Sequence, residues 1–273
     1  MSRSVLRLAA ALAVTACTAP AQNPAIQSPT PPATSGVVSV TMVASGLERP
    51  WGLAFLPDGR MLVTERPGRL RIVTAAGEVS APLGGVPAVL ARNQGGMLDV
   101  AIDPDFATNR FVYLAFSEPG EEAGTASTAV GRGRLTEGGL EGFTVLYRQA
   151  PKVRSNGHYG SRIVFGPNST MWVTAGDRMN QRPLVQDLGT GIGKIVRIHR
   201  DGTIPRDNPF VGRADALDAI WSYGHRNLQG ATLHPETGQL WTLEHGARGG
   251  AEHTHPEDGQ NDSWTEVIYS VGH

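Results

Sequence analysis

Four stretches of this chain share one grammar: a short apolar strand, a turn led by proline, and a second apolar strand. They are WGLAFLPDGRMLVTER (51–66), GMLDVAIDPDFATNRFVYLAFSE (96–118), SRIVFGPNSTMWVTAGD (161–177) and QGATLHPETGQLWTLEHG (229–246). The turn prolines are Pro57, Pro104, Pro167 and Pro235, and Asp58-Gly59, Asn168-Ser169 and Thr237-Gly238 complete three of the turns. Proline presets φ for a turn, and Asp, Asn and Gly tolerate positive φ. Each stretch therefore predicts an antiparallel hairpin. A strand-only theme returning every roughly 50–70 residues fits an all-β propeller of about four blades, each blade a small sheet of four strands, with long loops between them. A β-sandwich with accidental likeness among its strands is the competing architecture. The stretch 191–205, GIGKIVRIHRDGTIP, predicts another hairpin turning at Asp201-Gly202, and no segment carries a long helical period. Trp51, Trp172, Trp221 and Trp241 fall at similar points of the repeats and are expected in the core.

Composition narrows the partners. The 273 residues include 34 glycines and 19 prolines, a turn-rich excess that suits strands and loops. Lys and Arg number 24 against 25 Asp and Glu, so no basic field exists to hold a nucleic acid backbone. The single cysteine, Cys17, excludes an internal disulfide framework, a cysteine zinc site and a C-x-x-C redox motif. It closes residues 1–17, MSRSVLRLAAALAVTAC, where Arg3 and Arg7 precede a short apolar run. This reads as an export signal of the lipoprotein kind, with an ordinary secretory signal cut nearby as the alternative. The expected location is periplasmic, with the membrane reached only through a lipid anchor on Cys17 in the outer membrane. Residues 18–36 are rich in Pro, Ala, Ser and Thr and read as an extended tether. The folded part, 37–273, is expected to begin near Val37.

Polar residues gather at a few strand entrances. His158 stands in SNGHYGSR just before a strand, and Asp177 ends the paired strand. The ends of a hairpin meet, so Asp177 is expected to orient His158, whose ring takes a proton near neutral pH; a structural histidine is the other reading. Gly157 and Gly160 on either side are expected to let a ligand approach closely. The segment SYGHRNLQG (222–230) places His225, Arg226 and Asn227 on a loop, where Arg226 suits either a developing negative charge or an ion pair between blades. Gln94, beside two glycines, is a ligand contact or a turn residue. The stretch 244–262 carries Glu244, Glu252, Glu257, Asp258 and Asp262 among glycines and histidines. It suits a hard cation such as calcium, or is a solvated acidic loop.

In combination these motifs resemble a known family. LERPWGLAFLPDGRMLVTER, NQGGMLDVAIDPDF, HYGSRIVFGP, VQDLGTGIGKIVRIHRDGTIPRDNPF, IWSYGHRNLQG and LEHGARGGAE are similar to the glucose/sorbosone dehydrogenases, nearest to the soluble aldose sugar dehydrogenases that use pyrroloquinoline quinone (PQQ). The likeness runs from about Val37 to about Asn261. It implies a six-bladed propeller, of which about four blades lie in this chain, with the quinone at the channel mouth. It implies an aldose substrate, an external electron acceptor, and oxidation to a lactone by hydride transfer from the anomeric carbon. By resemblance, His158 is the general base, Asp177 its orienting partner, Arg226 and Asn227 cofactor contacts, and Gln94 a contact near cofactor and sugar. Arg226 would also face the negative oxygen of the reduced quinone. The carbonyls of Gly246 and Ala247 would bind the calcium that polarises the cofactor, and Glu252 and Asp262 a structural calcium. Where the family continues GxNYGWP, this chain has Asp262 and Ser263 in place of Tyr-Gly and Thr265 in place of Pro. A calcium-dependent lactonase and a non-catalytic fragment binding sugar or protein are the competing functions.

Overall fold

The structure, a computed structural model, describes residues 39–246 in full and 251–254 by their backbone. Four antiparallel meanders follow one another. The first holds β1 (Pro50–Phe55), β2 (Met61–Glu65) and β3 (Arg69–Val73); the second holds β4 (Met97–Ile102), β5 (Phe111–Pro119), β6 (Ala126–Leu135) and β7 (Leu140–Arg148). The third holds β8 (Gly160–Phe165), β9 (Thr170–Ala175), β10 (Lys194–His199) and β11 (Ile220–Tyr223). The fourth holds β12 (Leu228–Leu233), β13 (Leu240–His245) and β14 (Ala251–Thr254). Each sheet runs in chain order, and the opening strands β1, β4, β8 and β12 lie against one another in succession. That is the arrangement of propeller blades, with the first strand of each innermost.

The turns follow their local chemistry. At the β1–β2 turn, Leu56 donates its N–H to the Arg60 carbonyl (2.8 Å) and Gly59 takes φ 84°. At the β8–β9 turn, Asn168 and Ser169 take φ 55° and 59°. The β12–β13 turn closes from the His234 N–H to the Gln239 carbonyl (2.8 Å). The second turn departs from the pattern, since a short helix, α1 (Phe106–Asn109), joins β4 to β5. The turn at Asp201-Gly202 forms, with the His199 N–H on the Thr203 carbonyl (2.8 Å). Its return strand, however, is β11, which begins only at Ile220, so the expected simple hairpin is a strand followed by a long loop. Asn208 pins that loop by donating its side-chain amide to the carbonyls of Arg197 (2.8 Å) and Asp218 (2.9 Å).

Successive side chains of a strand face opposite ways, and the cores show it. Val112, Leu114 and Phe116 of β5 pack towards the first sheet with Leu62 and Met97. Tyr113 and Ala115 of the same strand pack towards the third with Met171, Val173 and Val196. Trp172 and Ile195 turn the other way, onto Leu228 and Leu240 of the fourth sheet. Trp172 is buried and meets Trp221 edge-on at 5.8 Å, and Trp51 is half-buried under Arg162. Trp241 contradicts the expectation of a core position. It is 42% exposed beside the His234 ring, because Leu240 and Thr242 take the inward face of β13. Among the described residues no helix is long and apolar enough to cross a membrane. Cys17, the expected export signal and the expected tether lie outside the described residues.

Candidate functional site

Pairing of β8 with β9 sets Gly160 opposite Ala175 and so brings together the residues flanking that end of the hairpin. His158 Nδ1 lies 2.7 Å from Asp177 Oδ1, and both side chains are buried. The Met179 N–H also donates to Oδ1 (2.7 Å), while Oδ2 is buried with no partner among the described residues. A carboxylate at Nδ1 places the ring proton there and leaves the lone pair on Nε2. The His158 backbone sits in the left-handed region (φ 53°), held by its N–H on Gln94 Oε1 (2.7 Å) and by its carbonyl, which accepts from the Arg178 N–H (3.3 Å).

The glycines here serve packing. A Cβ on Gly157 would meet Gln94 Oε1 at 2.5 Å, and one on Gly160 would meet the Thr174 carbonyl at 2.9 Å. Protein atoms fill the space that was expected to admit a ligand; Gly157 instead lets Gln94 reach the His158 N–H. Gly176 is tighter still, with the His158 carbonyl 2.2 Å from its missing Cβ and the Arg226 carbonyl at 3.1 Å. Gln149 holds this crossing by donating to the carbonyls of Gly176 (2.8 Å) and Gly191 (3.1 Å).

The loop before β12 reaches the same point. The Asp177 N–H donates to the Arg226 carbonyl (2.7 Å). Arg226 Nη1 donates to the His245 carbonyl (2.6 Å), and its N–H donates to Glu244 Oε1. Asn227 Oδ1 accepts from the Gly160 N–H (3.2 Å), which ties it to the start of β8. Glu244 is not free for a cation, since it is buried and also receives His225 Nδ1 at 3.2 Å, with Ser222 Oγ 2.7 Å from His225 Nε2. This serine–histidine–glutamate row resembles a hydrolytic triad, but all three residues are at most 2% exposed, and it braces the loop that carries Arg226.

Arg178 has no signal in the sequence. It is fully buried, its guanidinium lies 3.4 Å from the Tyr159 ring centroid, and Nη1 donates to the Gly157 carbonyl. Its Nε and Nη2 have no hydrogen-bond partner among the described residues, and burial pushes its pKa below the usual arginine value. A stacked ring offsets part of such a desolvation penalty, about 1–2 kcal/mol. A cleft of about 310 Å³ opens beside these residues, lined by Arg92, Arg154, Asn156 and Met179 among others.

Of the expected metal ligands, Gly246 follows β13 directly and is buried. Ala247 and Asp262 lie outside the described residues, and Glu252 is described only as backbone in β14. Among the described residues no three His, Cys, Asp or Glu side chains converge for a metal ion. Gln94, His158, Asp177, Arg226 and Asn227 are thus gathered around one strand entrance, and two of the four expected calcium ligands, Ala247 and Asp262, lie outside the described residues.

The family model for "Glucose / Sorbosone dehydrogenase" matches residues 47–272. The chain belongs to that family. The match passes Asn261, where the motif likeness was expected to stop. The chain is 43% identical over 244 residues to "Aldose sugar dehydrogenase YliI" of Escherichia coli, covering 88% of this chain and 65% of that protein. It spans 60% and 52% of the length of two further relatives. The solved structure of the soluble aldose sugar dehydrogenase from Escherichia coli in the apo-form is similar at TM-score 0.80 and 44% identity, covering 84% of this chain and 66% of that one. The PQQ-bound aldose sugar dehydrogenase of Streptomyces coelicolor is similar at TM-score 0.74 and 32% identity, covering 86% and 67%.

Proposed function

We propose that this chain carries the proton-abstracting centre of a PQQ-dependent aldose dehydrogenase. The observation that supports the reading above all is the 2.7 Å contact between His158 Nδ1 and Asp177 Oδ1, with Nε2 making no hydrogen bond to any described residue. In this role Nε2 takes the proton of the anomeric hydroxyl, and Asp177 holds the ring in the required tautomer and stabilises the imidazolium that forms. Gln94 fixes the backbone of the base through its Oε1.

The donor set fits the cofactor's chemistry. PQQ is a polyanion rich in oxygen acceptors, and the residues beside His158 are an arginine and two amides whose oxygens are already engaged inside the protein, Arg226, Asn227 and Gln94. Asn227 Nδ2 and Gln94 Nε2 make no hydrogen bond to a described residue, so both amide groups keep donors for it. PQQ, when bound, supplies the electron-accepting carbonyl that protein side chains lack. Arg226 would face the oxygen on which negative charge gathers, where a preorganised cation lowers the barrier. The carbonyls of Gly246 and Ala247 would hold one calcium ion, and Glu252 and Asp262 a second. An external electron acceptor and a periplasmic, lipid-anchored location through Cys17 complete the proposal.

The test is aldose-dependent dye reduction by the purified chain with PQQ and calcium. His158→Ala is expected to lower turnover at least about 100-fold, and Asp177→Asn to lower it with little change in KM. Turnover that survives His158→Ala would overturn the assignment.

A further inference from the structure

We infer that Arg178 is a positioning residue for the His158–Asp177 pair, acting through its charge as well as its contacts. The inference rests on the reading of His158 as the base. Three contacts clamp the segment that carries His158: Arg178 N–H to the His158 carbonyl (3.3 Å), Nη1 to the Gly157 carbonyl, and Ser155 Oγ to the Arg178 carbonyl. The guanidinium stacks on Tyr159, the residue after the base. Arg178 itself takes φ 54° and Met179 φ 65°, two successive left-handed residues that turn the chain so the side chain enters the interior.

Contacts alone do not account for a guanidinium in this place. A glutamine could reach the Gly157 carbonyl, and an apolar chain could cover Tyr159. The arginine instead buries Nε and Nη2 without partners among the described residues, and the preceding residue, Asp177, buries Oδ2 without one. An unpaired buried cation is strongly unfavourable unless a nearby opposite charge compensates it. Tyr159 beside the guanidinium offsets the larger part, and the Asp177 carboxylate on the preceding residue, the negative charge acting on it, offsets a smaller one. The cation in turn favours the ionised carboxylate and opposes a second positive charge on the His158 ring. Both effects favour the arrangement a base needs: Asp177 negative, His158 neutral, lone pair on Nε2.

The charged and titratable groups on the segments packed around His158 are few. Asp177 and Arg178 lie on the β9–β10 loop, Tyr159 and Arg154 on its own segment, Arg226 on the loop before β12, Glu244 on β13, and Arg92 near Gln94. Arg154 pairs with Glu122, and Glu244 is held by His225 and the Arg226 N–H. Arg178 is fully buried, as is Lys194 of β10 opposite Ala175, whose Nζ is spent on the carbonyls of Leu184, Val185 and Ile192.

Arg178→Gln and Arg178→Lys separate charge from contact. The first readout is the protonation midpoint of the His158 ring, followed by NMR in the cofactor-free protein. The second is the acid limb of kcat/KM for an aldose in the PQQ-loaded protein. Removing a nearby cation eases protonation, so Arg178→Gln is expected to move both upward by about one pH unit, and Arg178→Lys to keep both within about 0.3 unit of the native chain. Unmoved midpoints in Arg178→Gln, with only a lower melting temperature, would reduce Arg178 to a structural brace and overturn the inference. Should Arg178→Gln fail to fold, Tyr159→Leu removes the platform and leaves the charge. It is then expected to lower kcat about tenfold at unchanged KM, and an unchanged kcat would overturn the inference. An NMR shift without any aldose turnover in the native chain would break the proposed function and leave the charge coupling standing.

Discussion

The second and third sheets differ from the first and fourth in what covers their faces. Every residue of β9 is buried, and its side chains alternate between two cores, with Met171 and Val173 towards the second sheet and Trp172 towards the fourth. On β1, Leu53 and Phe55 are 51% and 67% exposed, and Trp241 and Leu243 of β13 are also exposed. Both pairs sit two residues apart on one strand face, the face with no described sheet against it. A small blade has two apolar faces and buries both only between neighbours. The candidate base follows the same division: His158 and Asp177 flank the β8–β9 end of the doubly covered third sheet, where a Cβ on Gly176 would run into the His158 carbonyl.

This contrast is open to breakage at several points. Gly176→Ala is expected to have the largest effect, since its Cβ would lie 2.2 Å from the His158 carbonyl. It should cost about 3 kcal/mol or more and abolish turnover, while Gly59→Ala, with open space around its Cβ but φ 84°, should cost about 1–2 kcal/mol and leave turnover intact. Urea titration and dye reduction of the two variants check this. Next comes the core itself. Met171→Ala, in a fully buried position, should cost about 3 kcal/mol. Phe55→Ala should stay within about 0.5 kcal/mol, because the ring is already wet. Equal losses in urea titrations would mean that the outer face is covered in solution.

Acid sharpens the comparison with a smaller effect. Burial pushes the Glu65 carboxyl up, but Arg69, the Glu48 N–H and Arg71 overrule it, and its pKa lies below the usual value of 4.5. Its contribution to stability is therefore present above about pH 4.5 and lost as pH falls through the lowered folded value. At Asp99, between the second and third sheets, burial prevails over Arg162 and the Ile163 N–H and raises the pKa, so acid does not weaken that junction. Glu65→Gln should lower stability by about 1 kcal/mol at neutral pH and flatten its fall below pH 4.5. A fall that persists unchanged in that variant would assign it to another carboxylate.

The hairpins were legible because proline, asparagine and glycine dictate turns over four or five residues, without help from distant chain. The His158–Asp177 contact was legible for the same reason, as a consequence of one hairpin closing. Features made by distant segments were not. Glu244 read as an exposed acid because the sequence does not show that Arg226 and His225, 18 and 19 residues earlier, take both its oxygens. Arg178 follows Asp177 in an unremarkable loop, and only two consecutive left-handed residues send it inward. Gly157 and Gly160 read as openings, yet their room is taken by Gln94 and by Thr174. Trp241 read as core because its repeat position matches Trp172, but its side of β13 meets no described sheet.

The most direct test of the central claim compares an ordinary aldose with one deuterated at the anomeric carbon, in dye reduction by the PQQ-loaded chain beside His158→Ala. The account predicts turnover that slows severalfold with the deuterated sugar and falls at least about 100-fold in the variant. Turnover with no isotope effect and no dependence on His158, or no aldose turnover at all in the native chain, would contradict it.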